Sequence, residues 1–210
     1  MTSRETRAIC EMAPIVPVLV IDDAAHARPL AEALVAGGLP ALEVTLRTPA
    51  ALEAIRIMAQ VPGGVVGAGT LVTPEDVRAA KAAGARFGVS PGATDRLLAA
   101  CEAEGLPLLP GAATASEAMR LLERGYDMLK FFPAEASGGA PALKAIGAPL
   151  PQIGFCPTGG VSPQNAESYL CLPNVVCAGG SWVAPKNMVA AGDWAGIEAL
   201  ARTAAALGRG

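Results

Sequence analysis

The sequence predicts an α/β fold, a (β/α)8 barrel of the TIM type with a short N-terminal helix, in a single domain over residues 1–210. Three observations point there. Eight short runs rich in Val, Ile, Leu and Phe alternate with Ala-rich helical stretches. Those runs are continuously apolar, as strands covered by helices on both faces are, and do not alternate between apolar and polar. Gly84, Gly105, Gly125 and Gly147 close successive helical runs. Their spacing of roughly 20 residues is what a strand, a helix and two short loops require.

Taken in order, a helix over residues 4–12 precedes strands expected at 15–20, 41–45, 65–69, 86–90, 107–109, 128–132, 152–156 and 175–178. Helix starts are marked by Thr73-Pro74-Glu75-Asp76, by the capping-box pattern Thr114-Ala-Ser-Glu117 and by Ser162-Pro163. The rival architecture, an open doubly wound sheet, usually carries Gly-x-Gly-x-x-Gly after its first strand. Here that strand leads into Ile21-Asp22-Asp23-Ala24, without a glycine.

Composition removes several function classes. Hydrophobic residues make up 52% of the chain and charged residues 17%, which suits one large core and excludes a disordered chain. A net charge of −3 gives no basic footprint for nucleic acid. Apolar stretches such as 15–21 end far short of the ~20 residues that a spanning helix needs, so no membrane partner is expected. His26 is the only histidine, so a His-built metal site or a Ser-His-Asp triad has at most one candidate. Cys10, Cys101, Cys156, Cys171 and Cys177 form no Cys-x-x-Cys pair and read as small buried hydrophobes in a reducing, cytoplasmic setting. The opening residues Met1 to Arg7 lead into no apolar targeting segment.

In such a barrel, chemistry is expected at the carboxyl ends of the strands. Strand alternation puts Met128, Lys130 and Phe132 on one face. A lysine between a thioether and an aromatic ring is expected to lose its proton more readily and to become a nucleophile for a carbonyl. The alternative is a lysine that snorkels to the rim. In Glu43-Val-Thr-Leu-Arg47, Glu43, Thr45 and Arg47 share a face. They are either a structural Glu43–Arg47 ion pair, or an acid–base carboxylate beside a guanidinium able to clamp a substrate carboxylate. Gly67-Ala-Gly-Thr70 offers a hydroxyl on a small-residue turn. Gly159-Gly160 and Gly179-Gly180-Ser181, after the last two expected strands, let backbone N–H groups approach an anion such as phosphate. Asp22, Asp23 and His26 read as a helix cap with solvated charge rather than a metal site.

Six blocks stand out together: Glu43-Val-Thr-Leu-Arg47-Thr, Val66-Gly-Ala-Gly-Thr70, Ser90-Pro-Gly92, Lys130-Phe-Phe-Pro-Ala-Glu135, Phe155-Cys-Pro-Thr-Gly-Gly160 and Gly179-Gly-Ser-Trp182. In combination they resemble the 2-keto-3-deoxy-6-phosphogluconate (KDPG) / 4-hydroxy-2-oxoglutarate (KHG) aldolase family. They run in order over nearly the whole chain. Phosphogalactonate-cleaving relatives carry Glu-Ile-Pro-Leu-Asn where this chain has Glu43-Val-Thr-Leu-Arg47, so the gluconate branch is preferred. The resemblance implies a single class I aldolase domain that uses no metal and no cofactor. Lys130 matches the Schiff-base lysine and Glu43 the proton shuttle. Arg47 and Thr70 match the binders of the pyruvate carboxylate, and Pro91, Phe132 and Thr158 the pocket wall. Gly159, Gly160, Gly180 and Ser181 match the phosphate side. It further implies a small-molecule keto-acid phosphate as substrate, a homotrimer and a place in the Entner–Doudoroff pathway. Gly111-Ala-Ala-Thr114 departs from the Gly-Ile-Ser-Thr of many members and bears on substrate breadth. The competing readings are a phosphosugar isomerase or epimerase with Glu43 as base, and a non-catalytic phosphate-binding barrel.

Overall fold

The computed structural model describes residues 2–208. Helix α1 (Thr2–Cys10) leads into β1 (Ile15–Leu19), a 3-10 turn at Ala24–His26 and α2 (Ala27–Ala36). Then come β2 (Ala41–Thr45), α3 (Ala51–Met58), β3 (Val65–Gly69), α4 (Pro74–Ala82), β4 (Phe87–Val89) and α5 (Asp95–Glu104). Two short strands follow, β5 (Leu108–Leu109) and β6 (Gly111–Ala112), and then α6 (Ala115–Glu123), β7 (Met128–Phe131) and α7 (Gly139–Gly147). The chain ends with β8 (Gly154–Pro157), α8 (Ala166–Leu170), β9 (Ala178–Gly180), α9 (Lys186–Ala191) and α10 (Trp194–Ala205).

These strands do not close into the expected eight-stranded (β/α)8 barrel. They form a six-stranded parallel half-barrel sheet, in the order β5-β4-β3-β2-β1-β9, and a second sheet of three strands, β6-β7-β8. The division has two local causes. The expected fifth strand, 107–109, stops at Pro110, which has no N–H to give to a ladder; Leu109 pairs into one sheet, and Gly111, just past the proline, starts a further short strand in the other. At the opposite edge β8 and β9 share no ladder; the pairing there is by isolated bridges, from Phe155 of β8 to Val175 and from Thr158 to Gly179 of β9. The apolar run 175–178 therefore contributes only its last residue to β9, whose ladder with β1 begins at Ala178.

The helix signals hold unevenly. Thr73 and Thr114 each accept the N–H of the residue three ahead, at 3.1 and 3.3 Å, and the carboxylates of Asp76 and Glu117 return the bond to the cap N–H at 2.9 Å each. These are the capping boxes that satisfy otherwise orphaned donors. Ser162-Pro163, by contrast, sits in a turn, and α8 begins three residues later, after Asn165, whose side chain accepts the Ser162 N–H at 2.7 Å. Of the cysteines, Cys171 is exposed, against expectation, and the other four are buried.

Two apolar layers position the site. Residues such as Leu19, Leu42, Val44, Leu108 and Phe155 pack outward against the helices. Val16, Phe87, Val89, Leu109, Met128, Cys156 and Cys177 fill the inside, and Cys10 of α1 joins them. Thr6 and Arg7 of α1 donate to the backbone carbonyls of Leu108 (3.2 Å) and Asp127 (3.0 Å), so the helix seals the amino ends of the strands. The carboxyl ends stay open.

Candidate active site

At that open end the two sheets bring β2 and β7 face to face. Lys130 Nζ lies 3.2 Å from Glu43 Oε1, with only 7% and 4% of the two side chains exposed. The only ion pair the sequence suggests for Glu43 is with Arg47; the structure instead pairs it with Lys130, 87 residues away. The lysine does not snorkel outward. Its nitrogen sits 5.2 Å from the centre of the Phe132 ring, which covers it as the shared strand face implies.

Neighbouring strands are shaped to admit this pair. A Cβ added to Gly69 would come within 2.7 Å of Glu43 Cγ and 2.9 Å of Cδ, so the bare backbone of β3 is the bed on which the carboxylate lies. Gly179 is bare for the same reason, since a Cβ there would lie 2.9 Å from Thr158 Cγ2. Behind the pair, Cys156 stands opposite Lys130 in the β7–β8 register. The Cys177 thiol holds the Cys156 thiol below its ordinary pKa against the upward pull of burial, and the nearby Lys130 charge adds to the effect.

A cavity of about 290 Å³ opens over Lys130 and Glu43. Arg47, Thr70, Pro91, Phe132, Thr158, Gly159, Gly160 and Ser181 all line it, so every expected substrate-binding residue but Gly180 faces one space. Gly180 does not line the cavity, and a Cβ on it would collide with the indole of Trp182. Thr70 adopts φ 64°, a left-handed conformation rare for a β-branched residue. Such strain concentrates where a side chain has to be aimed. Gly159 and Gly160 take φ values of 99° and 81°, which favour glycine, and the carbonyl of Gly159 accepts the Glu135 N–H at 3.0 Å. Glu135 in turn accepts a short hydrogen bond from Tyr169, and burial first, then this carboxylate, pushes the phenol well above its ordinary pKa.

The cavity also has walls at Val18 and Val161, which nothing in the sequence singles out, and at Gly179 and Thr45. Thr45 shares a strand face with Glu43, a signal present in the sequence. Asp23 accepts the Ala25 N–H at 2.9 Å and Asp22 pairs with Lys186 at 3.1 Å, the cap and solvated charge expected of them. A separate cavity of about 320 Å³ between α5 and α6 contains Arg120, Arg124 and Glu117, and no buried ion pair.

Comparison with known proteins gives concordant results. Residues 6–200 match the family described as "KDPG and KHG aldolase". The 2-dehydro-3-deoxy-phosphogluconate aldolase of Pseudoalteromonas atlantica is 56% identical over 194 residues, covering 92% of this chain and 90% of its own. The crystal structure of the 2-keto-3-deoxy-6-phosphogluconate aldolase of Zymomonas mobilis ZM4 with 3-phosphoglycerate superposes with a TM-score of 0.95 at 51% identity, over 99% of this chain and 98% of that one. The KDPG aldolase of Legionella pneumophila, captured with pyruvate as a covalent carbinolamine, has a TM-score of 0.92 at 48% identity, over 95% and 98% of the two chains.

Proposed function

The chain belongs to the KDPG and KHG aldolase family, and from that premise we infer that it is a Schiff-base aldolase. Its reaction is the reversible cleavage of 2-keto-3-deoxy-6-phosphogluconate to pyruvate and glyceraldehyde 3-phosphate, with 4-hydroxy-2-oxoglutarate as a second substrate. The observation that carries this reading is the buried Lys130–Glu43 pair, 3.2 Å apart at the floor of an open cavity.

Lys130 attacks the C2 ketone, and the carbinolamine loses water to give an iminium. A carboxylate at this distance can take the amine proton and return it to the departing hydroxyl, which gives Glu43 the acid–base role. The iminium is an electron sink: once the C4 hydroxyl is deprotonated, the C3–C4 bond breaks and its electrons form the enamine. Protonation and hydrolysis then release pyruvate and free Lys130. Arg47 and Thr70 hold the substrate carboxylate, and Pro91, Phe132 and Thr158 wall the ketone. The backbone of Gly159, Gly160 and Ser181 receives the phosphate as a nest of N–H groups. Gly180 belongs to the same glycine loop; its Cβ position faces Trp182, so it would meet the anion through its backbone alone.

The proposal extends to a single cytoplasmic aldolase domain, acting in the Entner–Doudoroff pathway as a homotrimer. Val72 and Met119, 57% and 50% exposed, are large apolar side chains free to serve an interface. Sedimentation analysis tests the oligomer. The decisive test of the chemistry is borohydride reduction in the presence of pyruvate, followed by peptide mass spectrometry. A stable adduct is expected on Lys130; an adduct on another residue, or none, overturns the reading.

A further inference from the structure

Arg47 lies at the rim of the cavity and is exposed. No carboxylate lies within 4.0 Å of its guanidinium among the described residues. A long cationic side chain so placed would sample many rotamers and lose them on binding an anion, at a cost in affinity. One contact counters this. Arg47 Nε lies 3.3 Å from Thr45 Oγ1, and Thr45, 3% exposed, donates its own hydroxyl proton to the Leu19 carbonyl at 2.9 Å.

The direction of this chain is fixed by chemistry. A guanidinium only donates and a carbonyl only accepts, so the hydroxyl must receive from Arg47 and give to Leu19. Its single proton is committed to β1, which turns a lone pair toward the arginine. With Nε occupied, the two terminal nitrogens of Arg47 remain for an incoming carboxylate, the arrangement that permits a bidentate fork. Thr48, which donates to the Ile21 carbonyl at 2.5 Å, ties the same loop to the segment after β1 a second time.

We propose that Thr45 is a positioning residue that holds the Arg47 side chain, through Nε, in the pose that receives the substrate carboxylate. The proposal rests on the reading that Arg47 binds that carboxylate, so the experiment must separate the two. Borohydride trapping is measured against concentration for pyruvate and for pyruvamide, the same ketone with a neutral amide in place of the carboxylate. The proteins compared are the wild type, Arg47→Ala, Thr45→Val, Thr45→Ser and the Arg47→Ala, Thr45→Val double variant.

Thr45→Val is expected to raise the half-saturating pyruvate concentration about tenfold, the worth of one hydrogen bond to a charged group, and to leave pyruvamide within about twofold. Thr45→Ser restores pyruvate binding, and Thr45→Val adds nothing to Arg47→Ala. Equal losses for both ketones, no loss for either, or additive effects in the double variant overturn the positioning role while leaving Arg47 in place. If Arg47→Ala itself fails to distinguish the two ketones, the carboxylate reading of Arg47 falls and the proposal falls with it. Should the valine variant not fold, Thr45→Cys, close in size and a weak acceptor, is judged by the same outcomes.

Discussion

Lys130 and Glu43 meet at 3.2 Å with 7% and 4% of their side chains exposed. On the outside of the molecule, Arg124 meets Glu102 at 2.9 Å and Asp95 at 3.1 Å with exposures of 29%, 39% and 85%. By geometry the outer set is the better bonded. Arg124 engages both oxygens of Glu102, and Tyr126 adds a bond at 3.2 Å. Bonding quality is not what separates the two. Solvent screens the outer charges and replaces any partner that is lost, whereas the inner pair has given up its hydration and each member depends on the other. A fold seeking stability alone would do as well with two apolar side chains at positions 43 and 130. The cost of keeping charge there is intelligible if the amine must meet a ketone away from water with a carboxylate at hand to move protons.

The largest expected effect comes from breaking the inner pair on one side. Lys130→Met removes the nucleophile and leaves the Glu43 carboxylate buried without its cation. Turnover and borohydride trapping should vanish, and urea unfolding should register a loss of about 3–5 kcal/mol. Adding Glu43→Leu removes the stranded charge. The double variant should recover most of the stability and none of the activity. If Lys130→Met is as stable as the wild type, the inner pair differs little from the outer one.

A smaller disturbance keeps both partners and moves one. Gly69 has an ordinary backbone conformation, so alanine there meets no strain of its own. Its Cβ, however, would occupy the space of the Glu43 side chain. The carboxylate must swing away from Lys130, and displacements of this size cost up to about 100-fold in rate. Gly69→Ala should lower kcat strongly while leaving the pyruvate concentration for half-maximal trapping near its wild-type value, because Arg47 is untouched. Unchanged turnover would mean that the proton shuttle tolerates a displaced carboxylate.

How far the sequence discloses this site depends on the distance between the partners. Glu43 and Thr45 share a face because strand alternation is local, and Arg47 and Phe132, in the turns just past β2 and β7, are legible because they follow those strands at the same spacing. Which cation Glu43 would choose was not, because the local candidate lies four residues away and the true partner 87. The role of Gly69 is likewise hidden: it follows from the β2–β3 register, which pairs Thr45 with Gly69. The alternation of strands and helices reads correctly from apolar runs and caps, and the closed barrel does not. Pro110 is visible in the sequence, but its effect depends on which neighbour each flanking residue finds. Two residues on either side of a proline are too few to state their sheet in advance.

The outer set supplies the smallest effect and the control for the comparison. Hydrogen bonding from Arg124 holds the Glu102 carboxyl below its ordinary pKa, with Tyr126 contributing and slight burial opposing. A carboxyl depressed in the folded state adds stability at pH values above its unfolded pKa, and that contribution fades as the pH falls through the depressed value. Glu102→Gln should therefore cost little at neutral pH, about 0.5–1 kcal/mol for a partly screened pair. Wild type and variant should converge in stability as the solution is acidified below the usual carboxylate range. Urea midpoints across that range, read beside turnover at neutral pH, check both halves of the contrast. The variant should unfold slightly earlier and cleave substrate at the wild-type rate. A Glu102→Gln enzyme that lost activity as well would show that the outer pair reaches the cavity, and the division between a structural and a chemical ion pair would have to be redrawn.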